Sequence, residues 1–116
     1  MSVGLDIKLE RLDQKIILHL EGRIDASSAM ILEKKLDGLL KDKHSQLLLD
    51  FTSLLYLSSA GLRVLLSFSK QLDVKKGFLL LYSIPDDVFE IIKMAGFDKV
   101  LHICSSEKEA LQFYSK

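Results

Sequence analysis

The sequence predicts an α/β fold: a mixed sheet of about four to five strands with about four helices, in the order β-β-α-β-α-β-α-β-α. Three observations carry this. The first twenty residues alternate apolar and polar side chains in two short runs. Two fully apolar runs, at 47–49 and 78–82, have the length of buried strands. Between the later strands lie single segments whose apolar residues recur at helical spacing. One helix between successive strands implies crossovers and parallel pairing, and the opening pair adds an antiparallel edge.

Leu5, Ile7 and Leu9 alternate with Asp6, Lys8 and Glu10, giving a half-buried strand. Asp13-Gln14 suits a turn. Lys15 to Leu20 then forms the partner strand, with Ile16, Leu18 and Leu20 on one face and Ile17 and His19 on the other. His19 reads as a strand-face residue. Glu21-Gly22-Arg23-Ile24-Asp25 breaks the pattern: Gly22 permits a bend, and Asp25 is placed to cap the next helix. Along that helix Ala29, Leu32, Leu36 and Leu39/Leu40 make one stripe, while Lys34, Lys35, Asp37 and Lys41 face outward.

The central strand is read as Gln46 to Phe51, followed by a loop through Thr52 to Leu57 and a helix start at Ser58-Ser59. Gly61, Leu65, Phe68 and Leu72 form the second helix stripe, which ends near Lys75-Lys76-Gly77. Phe78 to Tyr82 is a buried strand. Pro85-Asp86-Asp87 opens a third helix striped by Val88, Ile91/Ile92 and Ala95, and Gly96 stops it. Val100 to Ile103 is the last strand. Ser106 and Glu109 have capping-box spacing before a final helix held by Ala110, Leu111 and Tyr114.

The length suits one domain spanning 1–116, and no linker, repeat or low-complexity segment interrupts it. Sixteen basic residues offset sixteen acidic ones, so the chain carries no electrostatic footprint for nucleic acid or an anionic membrane. A single cysteine, Cys104, allows neither an internal disulfide nor a cysteine zinc cluster. The first residues lack the blocks of a signal peptide, and no apolar run reaches the roughly 18 residues of a membrane span. The expectation is a soluble, reduced, cytoplasmic protein without membrane insertion.

Chemistry in the sequence is sparse. Leu57-Ser58-Ser59-Ala60-Gly61 is half of a nucleophile elbow, but Leu57 stands where that motif needs glycine, and His102 is the only histidine downstream. No short His/Cys spacing builds a metal site, and no GxxxxGK or GxGxxG occurs, so no cofactor is expected. Asp25 and Asp50 could pair as carboxylates, yet a helix cap and a strand end account for them. The expectation is a protein without enzymatic activity. Ser58 and Ser59 sit where a helix begins, where unpaired amides and the macrodipole receive an anion readily. From the residues alone, helix capping explains both serines, and a phosphorylation site stands beside it as the regulatory alternative. Leu54 to Leu57 read as core more readily than as interface.

The segment LLLDFTSLLYLSSAGLRVLL resembles the signature of the STAS domain of bacterial anti-sigma factor antagonists, in which a strand ending in Asp or Asn leads through an apolar loop into D-S-[SAT]-G-L. Gly22-Arg23-Ile24-Asp25 is similar to the family's second signature, G-x-[IL]-D, and the element order agrees along nearly the whole chain. The resemblance implies a STAS-type domain and a partner switch. The unmodified antagonist binds an anti-sigma factor that is itself a serine kinase, phosphorylation releases it, and a serine phosphatase restores it. Aligning on Gly61-Leu62 makes Ser59 the phosphoacceptor, with Ser58 the lesser alternative. The resemblance also places Asp25, Asp50, Ser58, Gly61, Leu62 and Arg63 at the pocket or docking surface. Ser58 replaces the family's aspartate, and Arg63 stands where many members have a small residue. That pair of changes suits a phosphate. STAS domains also serve as unphosphorylated scaffolds or accessory subunits, for example of lipid transporters, which is the second expectation.

Overall fold

Among the described residues five strands lie side by side in sequence order, the first pair antiparallel and the others parallel. The computed structural model describes residues 4–113. Its elements are β1 (Leu5–Leu12), β2 (Lys15–Ile24), α1 (Ala29–Lys41), β3 (Gln46–Leu57), α2 (Ser59–Val74), β4 (Phe78–Tyr82), α3 (Asp86–Met94), β5 (His102–Cys104) and α4 (Glu107–Phe113). The element order and the mixed sheet are those the sequence predicts. Tyr114, expected to help hold the last helix, lies outside the described residues.

Sequential strand order has a geometric consequence. Each β-α-β crossover steps to the next strand in one direction, and right-handed connections then place all the crossover helices on one face. The main core agrees: Leu18, Leu47, Leu49, Leu79 and Leu81 of the sheet pack against Leu32 and Leu36 of α1, Leu65 and Leu72 of α2, and Val88 and Ile92 of α3. The other face is covered only in part. Ile17, Leu48, Leu80 and Tyr82 form a smaller cluster with Cys104 and Ala110, and α4 contacts β4 and β5. Above β1 and around His19, Glu21 and Asp50 this second face stays open and carries charged side chains.

Two expectations need correction. The central strand does not stop at Phe51; it runs on to Leu57. Its register against β2 slips twice, with Phe51 and Thr52 opposite Leu20 and with Leu55 inserted between the Gly22 and Arg23 pairings. These bulges turn alternation into a period of three, so Phe51, Leu54 and Leu57 are all buried while the residues between them are exposed. A period of three resembles a loop when only alternation is sought. The last strand begins at His102 rather than Val100 because the amides of Val100 and Leu101 are both drawn back to the carbonyl of Phe97 in a turn.

Candidate functional site

The carboxyl ends of β2 and β3 meet the start of α2, and the local sequence dictates how. Gly22 has φ +108, and a Cβ there would lie 2.1 Å from the carbonyl oxygen of Gly4, so only glycine lets β1 and β2 close at this point. Two residues on, the Ile24 carbonyl accepts the Ser58 amide at 2.8 Å, which fastens the end of β2 to the start of α2. Gly61 is buried at this junction. A Cβ on it would come within 2.4 Å of Ile24 Cγ2 and 2.9 Å of Leu57 Cδ1. Its lack of a side chain sets how closely the helix approaches the strands.

The two serines have different positions. Ser58 is the N-cap of α2, extended at φ −84 and ψ 169, and its Oγ accepts the Gly61 amide at 3.1 Å. Its carbonyl accepts the Leu62 amide at 2.9 Å. Ser59 is the first helical residue and is exposed, and its hydroxyl has no hydrogen-bond partner among the described residues. The Ser59 and Ala60 amides are likewise without partners among those residues, as the first amides of a helix are. Beside Ser59 a cleft of about 200 Å³ is lined by Leu62, Arg63, Leu66, Ala95 and Phe97. Leu62 is otherwise buried in the core, whereas Arg63 is exposed and has no ion-pair partner among the described residues.

Asp25 lies one residue beyond Ile24. Its carboxylate accepts the amides of Ser28 at 2.9 Å and Ser27 at 3.1 Å and the hydroxyls of both. The Ser28 amide first, then the other donors, lower its pKa to about 2. Asp25 therefore does not cap α1, contrary to what the sequence suggests; it closes the turn at 26–28, and the helix starts at Ala29 behind its N-cap, Ser28. Arg23 extends its guanidinium 4.5 Å from the centre of the Tyr56 ring, its cross-strand partner. Leu55 is 67% exposed next to it. Leu54 and Leu57 are core as expected; Leu55 and Tyr56 face outward, which the bulges explain.

Asp50 is the residue the fold does not bring here. It lies seven residues before Leu57, paired across the sheet with His19 and Tyr82, on the open face. His19 stands between two carboxylates, with Nδ1 2.7 Å from Asp50 and Nε2 2.8 Å from Glu10. Partial burial disfavours the imidazolium, but the hydrogen bonds to both acids outweigh it and the pKa is raised. Burial likewise opposes the Asp50 carboxylate, and the Thr52 hydroxyl and amide with His19 reverse the balance and lower its pKa. Asp50 thus ties β1 and β2 to the first bulge of β3, leaving Asp25 and Asp50 in separate networks. The downstream histidine, His102, is bonded to Asp73 at 3.2 Å.

Comparison with known proteins decides the family. A family model for the STAS domain matches residues 6–110. The chain belongs to the STAS domain family. This STAS domain is 30% identical over 106 residues to the candidate anti-sigma factor antagonist BtrV of Bordetella bronchiseptica, covering 91% of each chain. It is 28% identical to the anti-sigma-B factor antagonist of Listeria monocytogenes, over 94% of this chain and 95% of that one. Among solved structures, an anti-sigma factor antagonist from Mycobacterium paratuberculosis superposes with a TM-score of 0.89 at 20% identity, covering 100% and 98% of the two chains. The Bacillus cell fate determinant SpoIIAA in its phosphorylated form superposes with a TM-score of 0.71 at 16% identity, over 93% and 98%. These likenesses establish the STAS fold. No described helix of the domain is long and apolar enough to cross a membrane.

Sequence reasoning missed two features of this region. Phe97 reaches the cleft from beyond α3, and no local pattern links it to Ser59. The Arg23–Tyr56 pair depends on a shifted register that alternation alone does not reveal.

Proposed function

We propose that this STAS domain is an anti-sigma factor antagonist that works by partner switching. In its unphosphorylated form it binds an anti-sigma factor serine kinase and frees the sigma factor. Phosphorylation of Ser59 ends the binding, and a serine phosphatase resets the protein. The observation that carries the reading is the division of labour between the two serines. Ser58 Oγ is occupied as a cap, and Ser59 presents a free hydroxyl at the first position of α2. The likeness to relatives named as anti-sigma factor antagonists supports the same reading.

The proposed chemistry is local. A phosphate on Ser59 adds about two negative charges at neutral pH, next to unpaired helix amides and within reach of the Arg63 side chain one turn along. The fold accepts it without rearrangement. The partner, shaped for a neutral hydroxyl against the apolar cleft and the exposed Leu55 and Tyr56, meets a dianion and loses affinity through desolvation and repulsion. Asp25, Gly61 and Leu62 contribute by positioning this surface. Asp50 acts at a distance through the bulge.

The test is incubation with ATP and the partner kinase followed by mapping of phosphate by mass spectrometry. A single phosphate on Ser59 is expected. Ser59→Ala should bind the kinase constitutively and Ser59→Asp should lose most binding; wild-type affinity in Ser59→Asp would sink the switch. No phosphate with an active partner would leave Ser59 a plain helix residue and favour a scaffold role.

A further inference from the structure

Among the described residues β1 forms an open edge of the sheet: eight residues without proline, paired on one side only. The Gly4 carbonyl accepts the Arg23 amide, so by antiparallel alternation the even-numbered residues face β2. The amides and carbonyls of Leu5, Ile7, Leu9 and Arg11 therefore point out of the sheet. Native edges of this length carry charges that deter pairing, and here those are Asp6, Lys8 and Glu10 on the open face. Among the described residues neither Asp6 nor Lys8 has an ion-pair partner.

We infer that this edge pairs with the same edge of a second copy, antiparallel about a twofold axis at Ile7, joining two five-stranded sheets into one. Charge selects the register. With the axis at Ile7, Asp6 of each copy opposes Lys8 of the other, twice. With the axis at Lys8, lysine would face lysine and Asp6 would face Glu10. With the axis at Leu9, Lys8 would face Glu10, which His19 already holds, and Ile7 would face Arg11. The apolar side chains agree with the first register. A groove of about 460 Å³ runs between β1 and α1 past Leu5, Ile7 and Ile31, with Ile31 50% exposed. The axis at Ile7 sets the exposed Leu9 of one copy against Leu5 of the other, at the mouth of that groove. Ser59 follows β3, two strands from this edge, so the dimer carries two uncovered copies of it. The inference stands independently of the phosphorylation reading.

Sedimentation equilibrium over a concentration series tests it, with far-UV circular dichroism confirming that each variant is folded. Wild type should show a reversible monomer–dimer equilibrium. Asp6→Lys and Lys8→Asp each turn two attractive cross-strand pairs into two repulsive ones and should weaken dimerisation by about tenfold or more. Mixing the two single variants restores both attractions and should give a heterodimer, and the double variant Asp6→Lys/Lys8→Asp should regain self-association. A wild type that stays monomeric near millimolar concentration overturns the inference, as expected if the edge instead receives a strand of another protein. So does a dimer indifferent to both single variants, or a mixture that fails to recover.

Discussion

Ser58 and Ser59 are adjacent and chemically identical, yet backbone geometry assigns them opposite roles. Ser58 Oγ closes the first turn of α2, so Ser58→Ala should cost about 1 kcal/mol, a melting temperature lower by several degrees for a domain of this size. Ser59→Ala, which removes no hydrogen bond among the described residues, should leave thermal stability within about 0.5 kcal/mol of wild type. Thermal melts of both variants check the pair, and equal losses would contradict the assignment. Arg63→Ala should hasten dephosphorylation of phospho-Ser59 if the guanidinium holds the phosphate, and an unchanged rate would exclude that role. At this scale the sequence was legible only in part. Serines at a helix start announce a cap, but which one caps depends on where φ and ψ turn helical, and a repeated residue hides that. Tyr56 and Leu55 read as core because their neighbours Leu54 and Leu57 are core; the insertion of Leu55 into the register sends them outward.

Elements meet here through a glycine and a histidine. Gly61→Ala would press a methyl group against Ile24 and Leu57, and overpacking of this kind costs about 1–3 kcal/mol, so a clear fall in melting temperature is expected even though alanine favours helices. His19 joins three strands. Its pKa is raised in the folded protein, so the clamp contributes fully below its unfolded value near about 6.5 and is lost as pH rises through the folded value. Asp50 has the opposite sign: its share is present above the unfolded carboxylate value near about 4 and disappears as pH falls through its lowered one. Denaturant titrations should therefore show wild type more stable than His19→Gln by about 1 kcal/mol at pH 6, with the gap closing by pH 9. A pH-independent gap would mean the charge is not what binds the strands. The elements themselves were legible wherever one period held: Leu32 and Leu36 on α1, Phe68 and Leu72 on α2, the alternation of β1. The far half of β3 is hidden in the sequence because its bulges replace that period with another, and Val100 reads as strand although a turn takes it up.

For the whole molecule, the order of the strands matters more than any single contact. All three crossovers fall on one face, so the second face is covered only where α4 reaches, and its polar half follows from topology rather than from a local signal. The alternation of Asp6, Lys8 and Glu10 with Leu5, Ile7 and Leu9 was visible from the start, but whether that edge met solvent or another strand was not. A negative charge at residue 59 should leave this architecture intact and, placed at a helix start, raise stability by about 0.3–1 kcal/mol. Ser59→Asp is thus expected to melt no lower than wild type while failing to bind its partner. A variant that lost both would point to unfolding instead of switching.

The two bulges of β3 also bear on how this chain can change length. Residues 51–57 look like the loop in which insertions and deletions should be harmless, yet every third one is locked into the core and the first and last are tied to Asp50 and Ile24 through their neighbours. Removing a residue here must either erase one of the bulges or shift the register that sets Leu57 opposite Ile24, and with it the start of α2 at Ser58. The stretch that most resembles a tether is therefore the one whose residue count is least free to drift, and the spacing between Asp50 and Ser59 works as a ruler.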